Sequence, residues 1–306
     1  MRISATPLVS VVIPTRTRAD LVVRAVKSAL AQTLTEIEVI VVVDGVDPAT
    51  VEVLAAVNNL RLRTVVLSVS VGGSEARNIG IREGRGAFVA LLDDDDEWHP
   101  EKLSRQLAAA KNSTQRYPVV TSRLIARRPD GDVIWPLRLM RDGESMSEYL
   151  FCREKSVRQG EGFIQTSTLL VPRELMLRVP FRSGLPRHQD WDWLIRAAVY
   201  PGVKITWVWD TLVIYHIDVY RKSVSAGSSI DPSTDWINGN DLVTPKARAY
   251  FYATQVAVRC QTLATFFSIV RNTIRYPRAF LIAMGLTLTP RSIVFQLRTT
   301  SVASHA

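Results

Sequence analysis

Gly86-Ala87-Phe88-Val89-Ala90-Leu91-Leu92-Asp93-Asp94-Asp95-Asp96-Glu97 sets an apolar run directly against a cluster of acids. The apolar half reads as a buried strand, and the acids then stand at its C-terminal end. Carboxylates packed this closely repel, and holding them ionised is costly unless a cation neutralises them. Hard oxygen donors of this kind suit Mg²⁺ or Mn²⁺.

The segments on either side supply a sheet for this strand. Residues 8–14, 38–43 and 62–67 are apolar and rich in β-branched side chains. Between them, residues 19–32, 48–58, 74–83 and 100–112 carry helical signals, with Pro48 and Pro100 at helix starts and Gly72-Gly73 before a third. Such alternation predicts an α/β fold: a doubly wound, Rossmann-like, mostly parallel sheet with helices on both faces. Ligands of such sheets bind at the C-terminal ends of the strands. Downstream, strands are expected at 119–121, 132–135, 168–171, 204–209 and 211–215, with a helix over 190–199. Residues 221–240 read as a mobile loop or linker, and the pattern turns helical from Pro245 to about Tyr276. A catalytic domain over residues 1–235 and a basic, mostly helical extension over 236–306 are therefore expected.

Composition narrows the classes. Of the 306 residues 47% are hydrophobic, enough for a substantial core and against wholesale disorder. Two distant cysteines, Cys152 and Cys260, exclude a disulfide framework and zinc-finger spacing, which points to a reducing, cytoplasmic setting. The N-terminal stretch lacks the apolar core of a signal peptide, and no run approaches the roughly 18 apolar residues of a membrane span. The net charge of +9 is unevenly placed: no Asp or Glu follows Asp241, whereas eight basic residues do. A polyanionic surface, membrane or nucleic acid, is the partner such asymmetry suggests. The near-neutral body and the lack of an RNA-binding aromatic motif count against nucleic acid. A nucleotidyltransferase, the other use of clustered aspartates on an α/β sheet, lacks support because no Gly-rich triphosphate loop is present.

Several polar residues fall at strand ends: Thr15, Asp44, the Asp93–Asp96 cluster and Asp190 near a later helix start. The tracts Val9-Ser10-Val11-Val12-Ile13-Pro14-Thr15, Val43-Asp44-Gly45, Ala76-Arg77-Asn78-Ile79-Gly80 and Leu92-Asp93-Asp94-Asp95-Asp96 occur in the order seen in inverting family 2 glycosyltransferases of the GT-A fold. His188-Gln189-Asp190-Trp191-Asp192-Trp193 resembles that family's acceptor-side acidic motif. Residues 8–220 carry the resemblance, which departs at Val43-Asp44, where two acids are common, and at Gln189-Asp190, where Glu-Asp is common.

The resemblance implies a donor site for a nucleotide-diphosphate sugar, a UDP-sugar in the first instance, built by Pro14, Thr15, Asp44, Arg77, Asp93 and Asp94. It implies Mn²⁺ or Mg²⁺ on Asp95 with Asp93, and Asp190 as general base with Asp192 as its rival. It also implies a saccharide or lipid-linked acceptor and a place in surface polysaccharide or glycolipid synthesis. His216 reads either as a third metal ligand or as a strand-capping histidine, and Arg221 and Lys222 either as diphosphate contacts or as solvated charges. Trp98 and His99 are expected only to shape the loop after the aspartates; Trp191, Trp193, Trp207 and Trp209 read as core residues, with a stacking face for an acceptor sugar beside the base as the alternative for Trp191 or Trp193. Finally, Arg271, Arg275 and Arg278 align on a basic amphipathic stretch interrupted by Pro277. It is either a peripheral contact with the inner face of the membrane or a helical extension packed on the protein.

Overall fold

The sheet begins with two strands that can only be internal. β1 (Val9–Thr15) is buried at every position but Pro14, and β2 (Ile37–Val43) at every position. Continuous burial of this kind requires cover on both faces. The computed structural model describes residues 6–154, 160–217, 231–260 and 262–288. The chain divides into two compact units, Met1–Arg127 with Ile164–His216, and Arg128–Phe163 with Ile217–Ala306.

In the first unit α1 (Ala19–Leu30) follows β1, and β2 leads through α2 (Pro48–Ala55) to β3 (Leu62–Val66). Next come α3 (Gly73–Glu83), β4 (Phe88–Leu91), β5 (Glu97–Trp98), α4 (Lys102–Lys111) and β6 (Tyr117–Arg127). The chain crosses the second unit through β7 (Val133–Trp135) and α5 (Met146–Phe151). It returns with β8 (Leu170–Pro172), α6 (Arg173–Arg178), α7 (Gln189–Ala198) and β9 (Val203–His216). The strand order is β3-β2-β1-β4-β8-β6-β9-β5. Pairing is parallel from β3 to β4 and between β6 and β9; β8 and β5 run antiparallel to their neighbours.

Winding reverses between β1 and β4: β2 lies to one side of β1, and α3 carries the chain across to β4 on the other. A crevice at the strand C-termini belongs at such a switch. The helix α3 sits tight against this sheet because of Gly80, where a Cβ would overlap Val12 Cγ1 and crowd Val42 Cγ2. Asn78, on the same helix, exchanges two 2.9 Å hydrogen bonds with the backbone of Phe181. Two residues of the Ala76–Gly80 motif thus serve packing.

The strands expected at 204–209 and 211–215 are one, the 14-residue β9. Its register against β6 slips at Ser122/Arg123 and Arg123/Leu124, so extra β9 residues, Asp210 among them, bulge out between the two expected strands.

The second unit continues with α8 (Asp231–Asn238), α9 (Pro245–Phe251), α10 (Leu263–Thr273) and α11 (Pro277–Leu288). The 221–240 linker expectation fails over α8, which Asp231-Pro232 opens and which buries Trp236 and Ile237. The rest of that stretch, with Arg221 and Lys222, lies outside the described residues. The compact units also depart from the expected boundary at 235, because residues 128–163 group with the C-terminal segments. Phe151 packs edge-on against Trp236 and Phe251, and Glu148 accepts hydrogen bonds from Thr244 and Lys246. Pro277 ends the preceding helical run by opening α11, as its missing N–H dictates.

Gly80→Ala is expected to lower stability by about 1–3 kcal/mol through overpacking against Val12, read as a reduced urea midpoint with an unchanged m-value.

Candidate active site

The acids after β4 are not equivalent. Asp94 and Asp96 are buried, whereas Asp93 and Asp95 remain partly open. Asp94 accepts from Thr15 Oγ1 at 2.7 Å and from Arg18 Nη1 at 2.8 Å. Asp96, without exposed surface, accepts from Ser167 Oγ at 2.6 Å and Gln165 Nε2 at 2.8 Å. Burial, with repulsion from Asp95 and Asp93, raises its carboxyl well above the usual carboxylate range. Burial also raises Asp94, against the pull of Arg18. Asp95 is pushed up to about 6, by burial first and then by Asp93 and Asp94, while Arg18 at 3.1 Å opposes the shift.

Arg77 reaches from α3 into this cluster. One guanidinium nitrogen lies 2.6 Å from Asp93 Oδ1, the other donates to Gln189 Oε1 at 2.9 Å, and its plane lies over the Phe181 ring. Gln165 Nε2 also donates to Asp93 Oδ2 at 3.0 Å, so one amide bridges Asp93 and Asp96. Asp44, just past β2, accepts from Ser70 Oγ, Val71 N and Gly72 N at 2.9, 2.6 and 3.0 Å. It therefore fastens the loop that opens α3, and one lone pair on its Oδ1 is left for another donor. Pro14 and Thr15 close β1 beside Val42 and Val43.

At the N-terminus of α7, Gln189 and Asp190 come to the same place. His188 turns the chain there in the left-handed region (φ 60°) and stacks on Trp191 at 4.8 Å. Asp190, half-buried, accepts from the Trp191 amide at 2.9 Å. Burial raises it to about 6, with Asp93 adding to the shift and Arg77 opposing it. The two acids of α7 differ sharply. Asp192 is fully buried, 2.8 Å from Arg196 Nε and 3.4 Å from Arg182 Nη1. Trp193 is core, stacked on Phe181 and donating to Val179 O, while Trp191 keeps exposed surface.

His216 does not join the aspartates through its ring. Its Nε2 lies 2.7 Å from Glu97 Oε1, and only its backbone N–H points to Asp96, at 3.3 Å. The ring thus ties the end of β9 to Glu97 at the start of β5, two residues beyond the Glu97–Ile214 pair. Trp98 shapes the loop as expected, its Nε1 donating to Ser167 O at 2.8 Å. Arg18, Gln165 and Ser167 were not singled out in the sequence. The visible sign was a polar run, Gln165-Thr166-Ser167-Thr168, set between apolar neighbours.

Carboxylate oxygens are the right donor chemistry for a divalent cation, and Asp93 and Asp95 keep surface on which one could be met. As arranged, Arg18 and Arg77 take that role, and no three His, Cys, Asp or Glu side chains among the described residues are disposed to hold a metal ion.

These acids stand at the strand ends of a doubly wound sheet, where ligands of such sheets bind, and comparison with known proteins gives the class. Residues 10–173 match the model of Glycosyl transferase family 2. The chain is 30% identical to the amylovoran biosynthesis glycosyltransferase AmsB of Erwinia amylovora over 79% of its length and 81% of that protein's. It is 40% identical to the succinoglycan biosynthesis protein ExoO of Rhizobium meliloti over 35% of its length, which spans about a third (31%) of that relative. Residues 1–349 of S. aureus TarS, crystallised with UDP-GlcNAc, share the fold at a TM-score of 0.62 and 16% identity, over 92% of this chain and 84% of that one. The mannosyltransferase PcManGT of Pyrobaculum calidifontis, in complex with GDP-Man and Mn²⁺, does so at 0.55 and 16%, over 96% and 79%. The chain belongs to glycosyltransferase family 2 and is a glycosyltransferase of the GT-A fold.

Gln165→Leu removes a donor from both Asp93 and Asp96 and is expected to cost about 1–3 kcal/mol of stability, measured by urea unfolding near neutral pH. Asp190 gives a pH signature of definite sign. Its folded value is raised, so its contribution to stability is present below the usual carboxylate range and lost as pH rises through about 6. Asp190→Asn is therefore expected to raise the melting temperature near neutral pH and to change it little near pH ~4.

Proposed function

We propose that this chain is an inverting glycosyltransferase that moves a sugar from a nucleotide-diphosphate sugar to a hydroxyl of a saccharide or lipid-linked acceptor, with a UDP-sugar as donor and surface polysaccharide synthesis as setting. One observation carries the reading. Asp190, bound by a single backbone amide and held near 6, is close enough to Asp93 to feel its charge, and Arg77 links the two segments. The names of AmsB and ExoO, amylovoran and succinoglycan biosynthesis, support the polysaccharide setting. UDP-GlcNAc on TarS supports the donor class.

In this reading the free lone pair of Asp44 accepts from the base, and Thr15 with Pro14 forms the floor beside it. Asp93 and Asp94 hold the ribose side, with Arg77 on the nucleotide side of the cleft. Asp95 with Asp93 would hold Mn²⁺ or Mg²⁺, a choice that Mn²⁺ on PcManGT supports. When bound, that ion supplies charge neutralisation for the departing diphosphate. Asp190 takes the acceptor hydroxyl's proton as its oxygen bonds to the anomeric carbon. The bond from that carbon to the diphosphate breaks, the nucleoside diphosphate leaves with the electron pair, and one displacement inverts the configuration. A carboxylate near 6 is ionised at neutral pH yet more basic than a solvated one, which suits a general base.

Transfer is expected to fall as pH drops through about 6, when Asp190 takes up its proton. Asp190→Asn should cut kcat by about 10²–10⁴-fold and leave UDP binding, measured by calorimetry, unchanged; transfer that survives while Asp192→Asn abolishes it would overturn the assignment. Asp95→Ala is expected to abolish Mn²⁺ binding by calorimetry together with metal-stimulated transfer. Undiminished Mn²⁺ affinity would remove Asp95 from the metal site.

A further inference from the structure

The last two helices of the second unit present a face that solvent alone does not explain. α10 buries Ile269 and Thr273, and α11 buries Ala279 and Ala283, each pair spaced four apart. The outward sides carry large apolar groups: Leu263 is 76% exposed, Phe267 65%, Ile274 60% and Leu281 70%. Arg271, Arg275 and Arg278 are exposed among them. On α10, Leu263, Phe267 and Arg271 follow at intervals of four, and on α11 Arg278 and Leu281 at three, so each helix turns basic and apolar groups out together. None of the three arginines forms an ion pair among the described residues, and no acid follows Asp241 in the sequence.

We infer that this face of α10 and α11 docks in the interfacial region of a bilayer rich in anionic phospholipid. Exposed Leu, Phe and Ile interleaved with unpaired arginines is the pattern of a helix lying in the headgroup layer, apolar groups down and guanidinium groups on lipid phosphates. Spanning is not available. At about 1.5 Å per residue neither helix covers the ~30 Å hydrocarbon core, and no helix among the described residues is long and apolar enough to cross. Pairing with a second copy would bring like-charged arginines together without acids to offset them. Nucleic acid would use the arginines but leave the apolar groups in water. The inference is independent of the reaction performed by the other unit.

The test is flotation of the full chain with vesicles. Binding is expected to vesicles of phosphatidylcholine with phosphatidylglycerol, to be absent with phosphatidylcholine alone, and to weaken with salt. The triple variant Arg271→Gln, Arg275→Gln, Arg278→Gln is expected to lose partitioning by on the order of a hundredfold, about fivefold per arginine. Phe267→Ser with Leu281→Ser should also lose binding, and since all five side chains are exposed, unchanged thermal melts of both variants confirm that they fold. Failure of the parent chain to float, or flotation retained by both folded variants, overturns the inference. So does a dimer in analytical ultracentrifugation that the apolar double variant abolishes, or binding of duplex DNA that only the arginine variant loses, if no vesicle binding accompanies it.

Discussion

Four successive carboxylates at the end of one strand cannot all be ionised without help, and the catalytic unit is organised around supplying it. Help comes from separate parts of the chain: Thr15 at the end of β1, Arg18 just before α1, Arg77 from α3, Gln165 and Ser167 from the segment before β8, and the His216 backbone from the end of β9. The partners divide the acids. Asp94 and Asp96 are enclosed and hydrogen-bonded, and they hold the loop in shape. Asp93 and Asp95 keep surface; Arg77 and the Gln165 amide meet Asp93, and Arg18 meets Asp95. A turn in which alternate residues face inward lets one short sequence both build a loop and leave two carboxylates with open surface.

The same constraint explains why the site needs residues from so many segments. Arginine's planar fork can address two partners at once, and Arg77 uses it to join Asp93 to Gln189. A lysine there would offer a point charge and could not fix α7 with the same geometry. Gln165 does the neutral equivalent, giving one N–H to each of two carboxylates while its carbonyl accepts from Ser167 N at 2.8 Å. Because these bonds link elements on both sides of the switch between β1 and β4, the order of the strands and the polarity of the crevice are enforced together.

Much of this was legible in the sequence for a simple reason. Strands buried on both faces are written as unbroken apolar runs, so β1, β2 and β4 were found almost to the residue. The acids that end them were found with them. What was not legible depends on three-dimensional closure. Asp44 looked like a free strand-end acid because nothing in the sequence joins it to residues 70–72. The sequence left His216 open between ligand and strand cap because its contact with Glu97 exists only once β9 lies beside β5. The division of β9 into two strands was an error of period: a bulge interrupts alternation as a turn does, but the chain does not reverse. Residues 231–238 were misread because Ser, Asp and Asn suggest a loop, whereas Trp236 and Ile237 supply enough buried surface to hold a helix against that propensity.

The two acids of α7 show how far placement, rather than residue type, fixes a role. They sit two apart, so the helix turns them to different sides. Asp192 is buried, and its carboxylate is met by the outward-reaching guanidinium groups of Arg196 and Arg182, which themselves keep contact with solvent. Asp190, in the first turn, gains from the helix N-terminus but has no cation in direct contact, and burial beside Asp93 works against its charge. Asp192 has no exposed surface through which an acceptor could reach it. Asp190 keeps part of its surface, and burial holds it near 6.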